Sequence, residues 1–534
     1  MEPKTLTITN FGGPLTRKIN GDINSGLSKY ATSWGYDPYS KPGTLTWLEQ
    51  PTSILSDNNI IALKQKSEGV TQRNYVYSFD SGELLRRITV NSTTNPNVDS
   101  SSIVGNTFTA DTQNSGGGMI FFGASDRIFL AGDSTIQTAT FSSSVVTGPS
   151  LIGTLATNNA PRPFAKFLGK VYFGNGNNIG EIDSTNTIIT VSKLSPALPN
   201  DLYIRDLDVT PDGNYLQITA SASNQTDFFG TTNADINTPI ASDSYKFYWN
   251  GIDSSYSATK NYSGLVLTAN HSFGDKNYNF GYDYSGAGIF SDNEKIVSLP
   301  NASSPNPTAV FSTGNMLGFA VPEYESESGR IQTSFFEYGK FDDEVQSGLY
   351  RLLRQRAAVR DDIAGVPACI NVSHRMRTSS SFGVTNNFSG AGKIYYASTE
   401  IPSTVGAAAI TNLWRFHTVS TGTQSVLAGI YETQNQLFSK KINIKEVRVY
   451  TEPLIGGNDF VINLIGSGGS VMAGGSQRFI VGTSSIATGT DMVHFNPQMM
   501  PTYVVGVRVT NSSVTGVANW TANKIEVDYV EGGR

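Results

Sequence analysis

Three stretches of this chain repeat one pattern, and that repeat limits the fold more than any other feature. Arg73-Asn74-Tyr75-Val76-Tyr77 is followed by a turn at Asp80-Ser81-Gly82. Asp126-Arg127-Ile128-Phe129-Leu130 is followed by Gly132-Asp133-Ser134, and Lys170-Val171-Tyr172-Phe173 by Gly174-Asn175-Gly176-Asn177. Each is an aromatic and β-branched run, then a Gly/Asn/Asp turn, then a second short strand, which is the signature of a β-hairpin. Val76, Ile128 and Val171 are spaced by roughly 52 and 43 residues, close to the 40–50 residue period of propeller blades. The three hairpins are therefore expected at equivalent positions of different blades.

The rest of the chain extends that reading. Phe164–Phe167, Lys170–Phe173, Ile179–Ile182 and Thr187–Val191 supply four short strands in fewer than about 30 residues, the content of one blade. Pro211-Asp212-Gly213 sits between two strands; Pro presets the turn and Gly takes the positive φ. Counting such groups gives five to seven blades, with Ser221–Pro239 as a long polar insertion. Leu349, Leu352, Leu353 and Ala357 recur at helical spacing, but the β surroundings favour a strand through Gly348–Leu352. From Ile442 the pattern changes to alternation, in Ile442–Tyr450, Val505–Val509 and Lys524–Val530, so these strands have one dry and one wet face.

The expected fold is all-β, a β-propeller-like body with a C-terminal antiparallel β-sandwich. Its expected divisions are a strand and extended segment over 1–50, available for docking, the body with its insertions over 51–435, and a jelly-roll-like sandwich over 440–534. The stretch Phe11–Gly43 is too long and irregular to order itself, so a neighbouring subunit is expected to order it. Tyr30, Trp34, Tyr36 and Tyr39 are its candidate partner-contact residues.

Composition excludes several classes. Charged residues make up 15% of the 534 residues, against about 25% in ordinary globular chains, while 53 glycines suit a turn-rich β protein. With 38% hydrophobic and 11% aromatic residues the chain has ample material for a core, which argues against disorder. The net charge of −6 gives no basic footprint for duplex DNA, so no sequence-specific nucleic-acid partner is expected. Arg351, Arg354, Arg356 and Arg360 form the densest cationic stretch and read as a solvated or inter-subunit face. No apolar window is long enough to span a membrane, and the start carries no secretory h-region. The single cysteine, Cys369, reads as a buried strand residue and rules out an intrachain disulfide.

Catalytic chemistry is hard to find. His271, His374, His417 and His494 are isolated from one another, and no HExxH, nucleophile-elbow or P-loop pattern occurs. The best metal candidate is the run from Asp275 to Asp283, with oxygen donors at Asp275, Asn277 and Asn279, but its Gly is one place late for a Ca²⁺ loop and the closing Glu is missing. Asp342-Asp343-Glu344 and Asp361-Asp362 are the available carboxylate clusters for a glycosidase, and neighbours in sequence point in different directions. Tyr278, Tyr282 and Tyr284 could stack on a sugar, though aromatic residues in such a chain mostly pack in strands. No cofactor is expected, and the chain reads as no enzyme.

The opening carries a resemblance. Ile8-Thr9-Asn10-Phe11-Gly12-Gly13-Pro14-Leu15, the looping segment to Tyr36-Asp37-Pro38, and Lys41-Pro42-Gly43-Thr44-Leu45 resemble the start of virion proteins encoded in tailed-phage structural gene clusters. In those chains such a segment precedes a propeller-like body and often a C-terminal β-sandwich. The body is also similar to the propeller of tail nozzle proteins, although this chain is shorter. The resemblance implies a structural virion protein of the tail or tail tip, made in the host cytoplasm, serving assembly, channel closure or host contact. It implies other tail proteins as partners, a ring of identical subunits, and a host-surface glycan or receptor. The alternatives are an extracellular glycan-binding or glycan-cleaving propeller, and a capsid or spike protein built of sandwiches.

Overall fold

The three repeated hairpins occupy the same place in three successive sheets. In the computed structural model, Val76, Ile128 and Val171 lie on Arg73–Asp80, Arg127–Ala131 and Lys170–Asn175, each the second strand of a four-stranded antiparallel sheet. The structure describes residues 2–532 apart from 12–29, 90–99, 104–118, 156–161, 224–238, 300–308, 340–347, 357–383, 386–392, 401–409, 418–428, 512–519 and some shorter stretches, chiefly at turns. The insertion expected at Ser221–Pro239 falls largely outside these residues, as does Cys369.

Seven four-stranded sheets follow one another among the described residues. Blades 1 to 6 span 60–103, 119–154, 164–190, 202–263, 266–298 and 309–356. Blade 7 takes Val384–Thr385, Lys393–Glu400 and Ile410–His417 from the end of the body and its outer strand, Thr52–Asp57, from the beginning. First strands of neighbouring blades lie side by side from blade 1 to blade 7, and Thr52–Asp57 lies against the outer strand Ser100–Ile103 of blade 1. The sheets therefore form a closed ring, a β-propeller whose last blade is completed by an early strand. Such closure leaves only short, protected edges.

Three joints between blades are apolar where their side chains are described. Ile120, Phe129 and Ile136 of blade 2 pack with Val171, Phe173 and Ile182 of blade 3. Phe167, Tyr172 and Ile179 pack with Leu202, Ile204, Leu207, Phe247 and Trp249 of blade 4. Phe280 and Ile289 of blade 5 pack with Leu317, Phe319 and Phe336 of blade 6. Gly180 is fixed by such packing: a Cβ there would lie 1.9 Å from Cζ of Phe173, the residue opposite it. The Pro211-Asp212-Gly213 turn forms as expected, with Gly213 at φ 74° and its N–H donating to the Thr210 carbonyl at 2.8 Å. Gly348–Arg356 is a strand, the outer one of blade 6.

The sandwich has two layers. One runs Lys4–Ile8, Ala522–Glu531, Gln436–Thr451, Met492–Phe495; the other runs Tyr30–Trp34, Gly429–Thr433, Thr502–Asn511, Asp459–Ile465, Val471–Ile480. The long strand Gln436–Thr451 joins them, since its beginning also pairs with Thr502–Asn511. Its alternation is not continuous. Ile442 and Ile444 face inward, then a bulge between Ile444 and Glu446 restores the inward direction for Val447 and Val449. That extra residue keeps Lys445 and Glu446 out of the core.

Here the expected division at 435–440 needs correcting. Ile8, Phe11, Tyr36, Leu45 and Trp47 are buried in the same core as Val447, Phe460, Val507, Trp520 and Val527. Lys4–Ile8 pairs with Ala522–Glu531 in register from Lys4 opposite Tyr529 to Ile8 opposite Ile525. Residues 44–48 hold their place by isolated bridges, Leu45 to Ala522 and Tyr36 to Trp47. The sandwich is therefore built from both ends of the chain. Its C-terminal strands alone leave an apolar surface that the early segment covers. Tyr30–Trp34 also touches the outer strand of blade 6, which couples sandwich to ring.

Candidate functional site

The expected partner-contact residues find partners within the chain where the structure describes them. Tyr36 is fully buried and its hydroxyl donates to the Phe11 carbonyl at 2.8 Å. The Phe11 and Tyr36 rings each lie 5.6 Å from the Tyr431 ring. Tyr30 and Trp34 lie on the strand that pairs with Gly429–Thr433, their side chains being outside the described residues, as is Tyr39. Phe11, Tyr36, Leu45 and Trp47 are ordered against the chain's own sandwich. Apolar side chains in an irregular segment need cover, and the sandwich supplies it.

The calcium-loop candidate is a β-hairpin. Gly274, at φ 62°, turns Val266–Phe273 into Lys276–Asp283. Asp275 is exposed at the turn, while Asn277 and Asn279 stand on one face of the second strand. The Asn277 Oδ1 accepts a hydrogen bond from the Lys246 ammonium, and its Nδ2 donates to Ser272 Oγ at 3.0 Å. A cationic donor already holds the oxygen a cation would need, so Asp275, Asn277 and Asn279 do not converge as a loop site. Among the other candidates, His271 lies on Val266–Phe273, and His494 is exposed with Nδ1 2.9 Å from Glu446 Oε1. Asp342, Asp343, Glu344, Arg360, Asp361, Asp362, His374 and Tyr284 lie outside the described residues. The side chains of Arg351, Arg354, Arg356 and His417 do so as well. No group of three or more His, Cys, Asp and Glu side chains suited to a metal occurs among the described residues.

Titratable groups do converge at the joint between blades 4 and 5, which is polar near the axis. Blade 4 presents Asp206 and Asp208 from its first strand, Gln217, Thr219 and Ser221 from its second, and Ser244 and Lys246 from its third. Blade 5 presents Asn270 and Ser272 from its first strand and Asn277 and Asn279 from its second. Pairing fixes this arrangement: Asp206 lies opposite Thr219 and Thr219 opposite Lys246, while Asn270 lies opposite Asn279 and Ser272 opposite Asn277.

Two carboxylates tie the joint. Asp206 Oδ2 accepts from the Asn270 N–H at 2.9 Å, and Asp208 Oδ2 from the Ser272 N–H. These N–H groups lie on the unpaired inner edge of blade 5, where backbone donors otherwise lack protein partners. Ser272 Oγ donates in return to the Val209 carbonyl at 2.6 Å, and Leu267 N–H donates to Ser244 Oγ at 2.7 Å. Lys246 donates to Gln217 Oε1 at 2.9 Å as well as to Asn277, so it leans toward the Asp208 row. Arg205 Nε donates to Ser221 Oγ at 2.9 Å. Burial pushes the Asp206 carboxyl up to about 7; the Asn270 N–H opposes this and the Asp208 carboxylate adds to it. Glu181 of blade 3 is the contrasting case. Burial would raise it, but ammonium groups of Lys170 at 2.5 Å and Lys193 at 2.7 Å hold it below the usual carboxylate range.

Sequence reasoning missed this joint. In Leu202–Val209 the polar residues at alternate positions read as a wet face, whereas that face meets the next blade. A signal was present: the polar positions recur on both partners, in Gln217-Ile218-Thr219 and in Asn277-Tyr278-Asn279.

No family and no curated protein matches the sequence. Solved structures similar to this chain include BBS1N in complex with ARL6DN, at 9% identity and a TM-score of 0.35, covering 69% of this chain and 96% of that one. A glucose dehydrogenase is similar at 10% identity and a TM-score of 0.32, covering 70% and 99%. KlHsv2 with one loop replaced by a Gly-Ser linker is similar at 11% identity and a TM-score of 0.28, covering 53% and 83%.

Proposed function

We propose that this chain is a structural subunit of a tailed-phage virion, placed in the tail or its tip, with assembly, channel closure or host contact as its task and no catalysis of its own. The observation that carries the reading is the layout. A propeller and a sandwich are held together by an early segment, and the residues opening that segment resemble the start of virion proteins. The strands at 4–8, 30–34 and 52–57 belong in turn to the sandwich, the sandwich and the ring. This arrangement suits a load-bearing part, because pulling on either module strains pairing that involves the other end of the chain. Neighbouring tail proteins, further copies of this chain and a host-surface glycan are its proposed partners.

The test is to label the sandwich with an antibody in particles assembled from the structural gene cluster that encodes the chain. Label at the tail in fixed copy number is the expected result. Particles complete without the chain would overturn the reading. So would turnover of host-surface polysaccharide by the purified protein.

A further inference from the structure

We propose that the joint between blades 4 and 5 binds a hard cation of the calcium class, held by Asp206 and Thr219 of blade 4 and Asn270 and Asn279 of blade 5. The joint leaves several buried polar atoms unpaired. Asn270 Oδ1 and Nδ2, Asn279 Oδ1 and Thr219 Oγ1 make no hydrogen bond within the chain. All three residues are more than nine-tenths buried, at 4%, 1% and 0% exposure. Burying a polar atom without a partner costs about 1–3 kcal/mol, so a group of them on two facing sheets calls for a shared ligand.

Strand alternation aims them at one another. Asn277 reaches Lys246 of blade 4, so Asn279, two residues on in an unbulged stretch, faces blade 4 too. Asn270 lies directly opposite Asn279 on the same sheet face. Asp208 reaches the Ser272 N–H of blade 5, so Asp206 faces blade 5, with Thr219 beside it. The Asp206–Asn270 hydrogen bond at 2.9 Å brings the two sets together.

Chemistry then selects the ligand. Three of the four unpaired atoms are oxygens, and the one charged member of the set is a carboxylate. Oxygen donors of this kind suit a hard cation, which completes its shell with water. Among the charged groups around Asp206, the Lys246 ammonium favours its ionised form and the Asp208 carboxylate opposes it. Asp208 is another carboxylate, Arg205 is turned to Ser221, and Lys246 is engaged with Gln217 and Asn277. This donor set differs from the Asp275 hairpin, whose Asn277 oxygen is already taken. The proposal does not depend on where the protein acts.

The experiment is equilibrium dialysis of the whole chain against calcium alone, with magnesium and sodium as competitors. One saturable site per chain is expected. Asp206→Asn should weaken it by about tenfold or more, and Asn279→Asp, which adds a second carboxylate, should tighten it by about tenfold, since ligand charge tunes such sites. Circular dichroism of each variant separates loss of binding from loss of fold, and the gain in Asn279→Asp cannot come from misfolding. Absence of saturable binding would overturn the proposal and leave the unpaired oxygens to internal water. Binding that none of these substitutions alters would overturn it equally, by placing the ion elsewhere.

Discussion

Replacing Trp47 with alanine should strongly destabilise the sandwich while leaving the ring intact. Trp47 is fully buried, 5.7 Å from the Trp520 ring, which stacks on Phe460 at 4.2 Å. Its backbone neighbours are held to the last strand of the chain: Leu45 N–H donates to the Ala522 carbonyl at 2.9 Å, and Ala522 N–H returns the bond at 3.0 Å. A buried aromatic side chain covers about 150–250 Å², worth about 4–6 kcal/mol at 25 cal/mol per Å². Measured truncations of this type cost about 3–5 kcal/mol, because the site partly collapses. A domain of this size has only about 5–15 kcal/mol in total. Urea unfolding, followed by circular dichroism and by proteolytic cutting within 440–534, should show the sandwich transition move to much lower denaturant, with the propeller transition unchanged. A cost below about 1 kcal/mol, the range of a surface substitution, would mean that the early segment rests on the sandwich without being part of its core.

Three further outcomes follow from the same structure. The fragment 440–534 expressed alone should fail to melt cooperatively, since it lacks Ile8, Phe11, Tyr36, Leu45 and Trp47; a cooperative transition would restore the boundary near 440. Gly180→Ala should destabilise blade 3 by about 1–3 kcal/mol or more, as its methyl group would meet the Phe173 ring, and a neutral effect in thermal melts would show that the ring has room to move. Asp206 holds its proton in the folded chain up to about pH 7, against 3.8 when unfolded. Its contribution is therefore fully present below 3.8 and is lost as pH rises through about 7, a fall of at most about 4 kcal/mol, reduced by the partial exposure of the residue. In calcium-free buffer Asp206→Asn should flatten the stability profile between pH 5 and 8 (roughly the upper part of that window), and an unchanged slope would remove Asp206 as its source.

What could be read from the sequence was local. Val76, Ile128 and Val171 announced the blades because a hairpin needs only neighbouring residues and a turn with the right φ angles. The strands at 442–450, 505–509 and 524–530 were visible because one face is dry. Thr5-Leu6-Thr7-Ile8 was equally legible as a strand, but its partner lies more than 500 residues away at Ala522–Glu531, and alternation carries no information about which edge a strand joins. The same holds for Thr52–Asp57, which closes blade 7 against Ile410–His417. The joint between blades 4 and 5 was hidden for a different reason. A polar residue on a strand reads as solvent-facing, and only the ring geometry reveals that Asp206, Thr219 and Lys246 meet another sheet.

The pairing of the first strands with the last has a consequence for how the protein is made. A ribosome adding about 5–20 residues per second needs roughly 25–100 s to pass from Lys4–Ile8 to Ala522–Glu531. For most of that time the strands at 4–8, 30–34 and 52–57 wait for partners at 522–531, 429–433 and 410–417. Blades 1 to 6 can form in order as they emerge, but the ring cannot close until Ile410–His417 arrives to receive Thr52–Asp57. The nascent chain thus trails a sticky leader rich in Tyr, Trp and β-branched residues, a target for chaperones and a hazard on crowded polysomes. Slower translation prolongs that exposure, and a circular permutant opened between blades would abolish it.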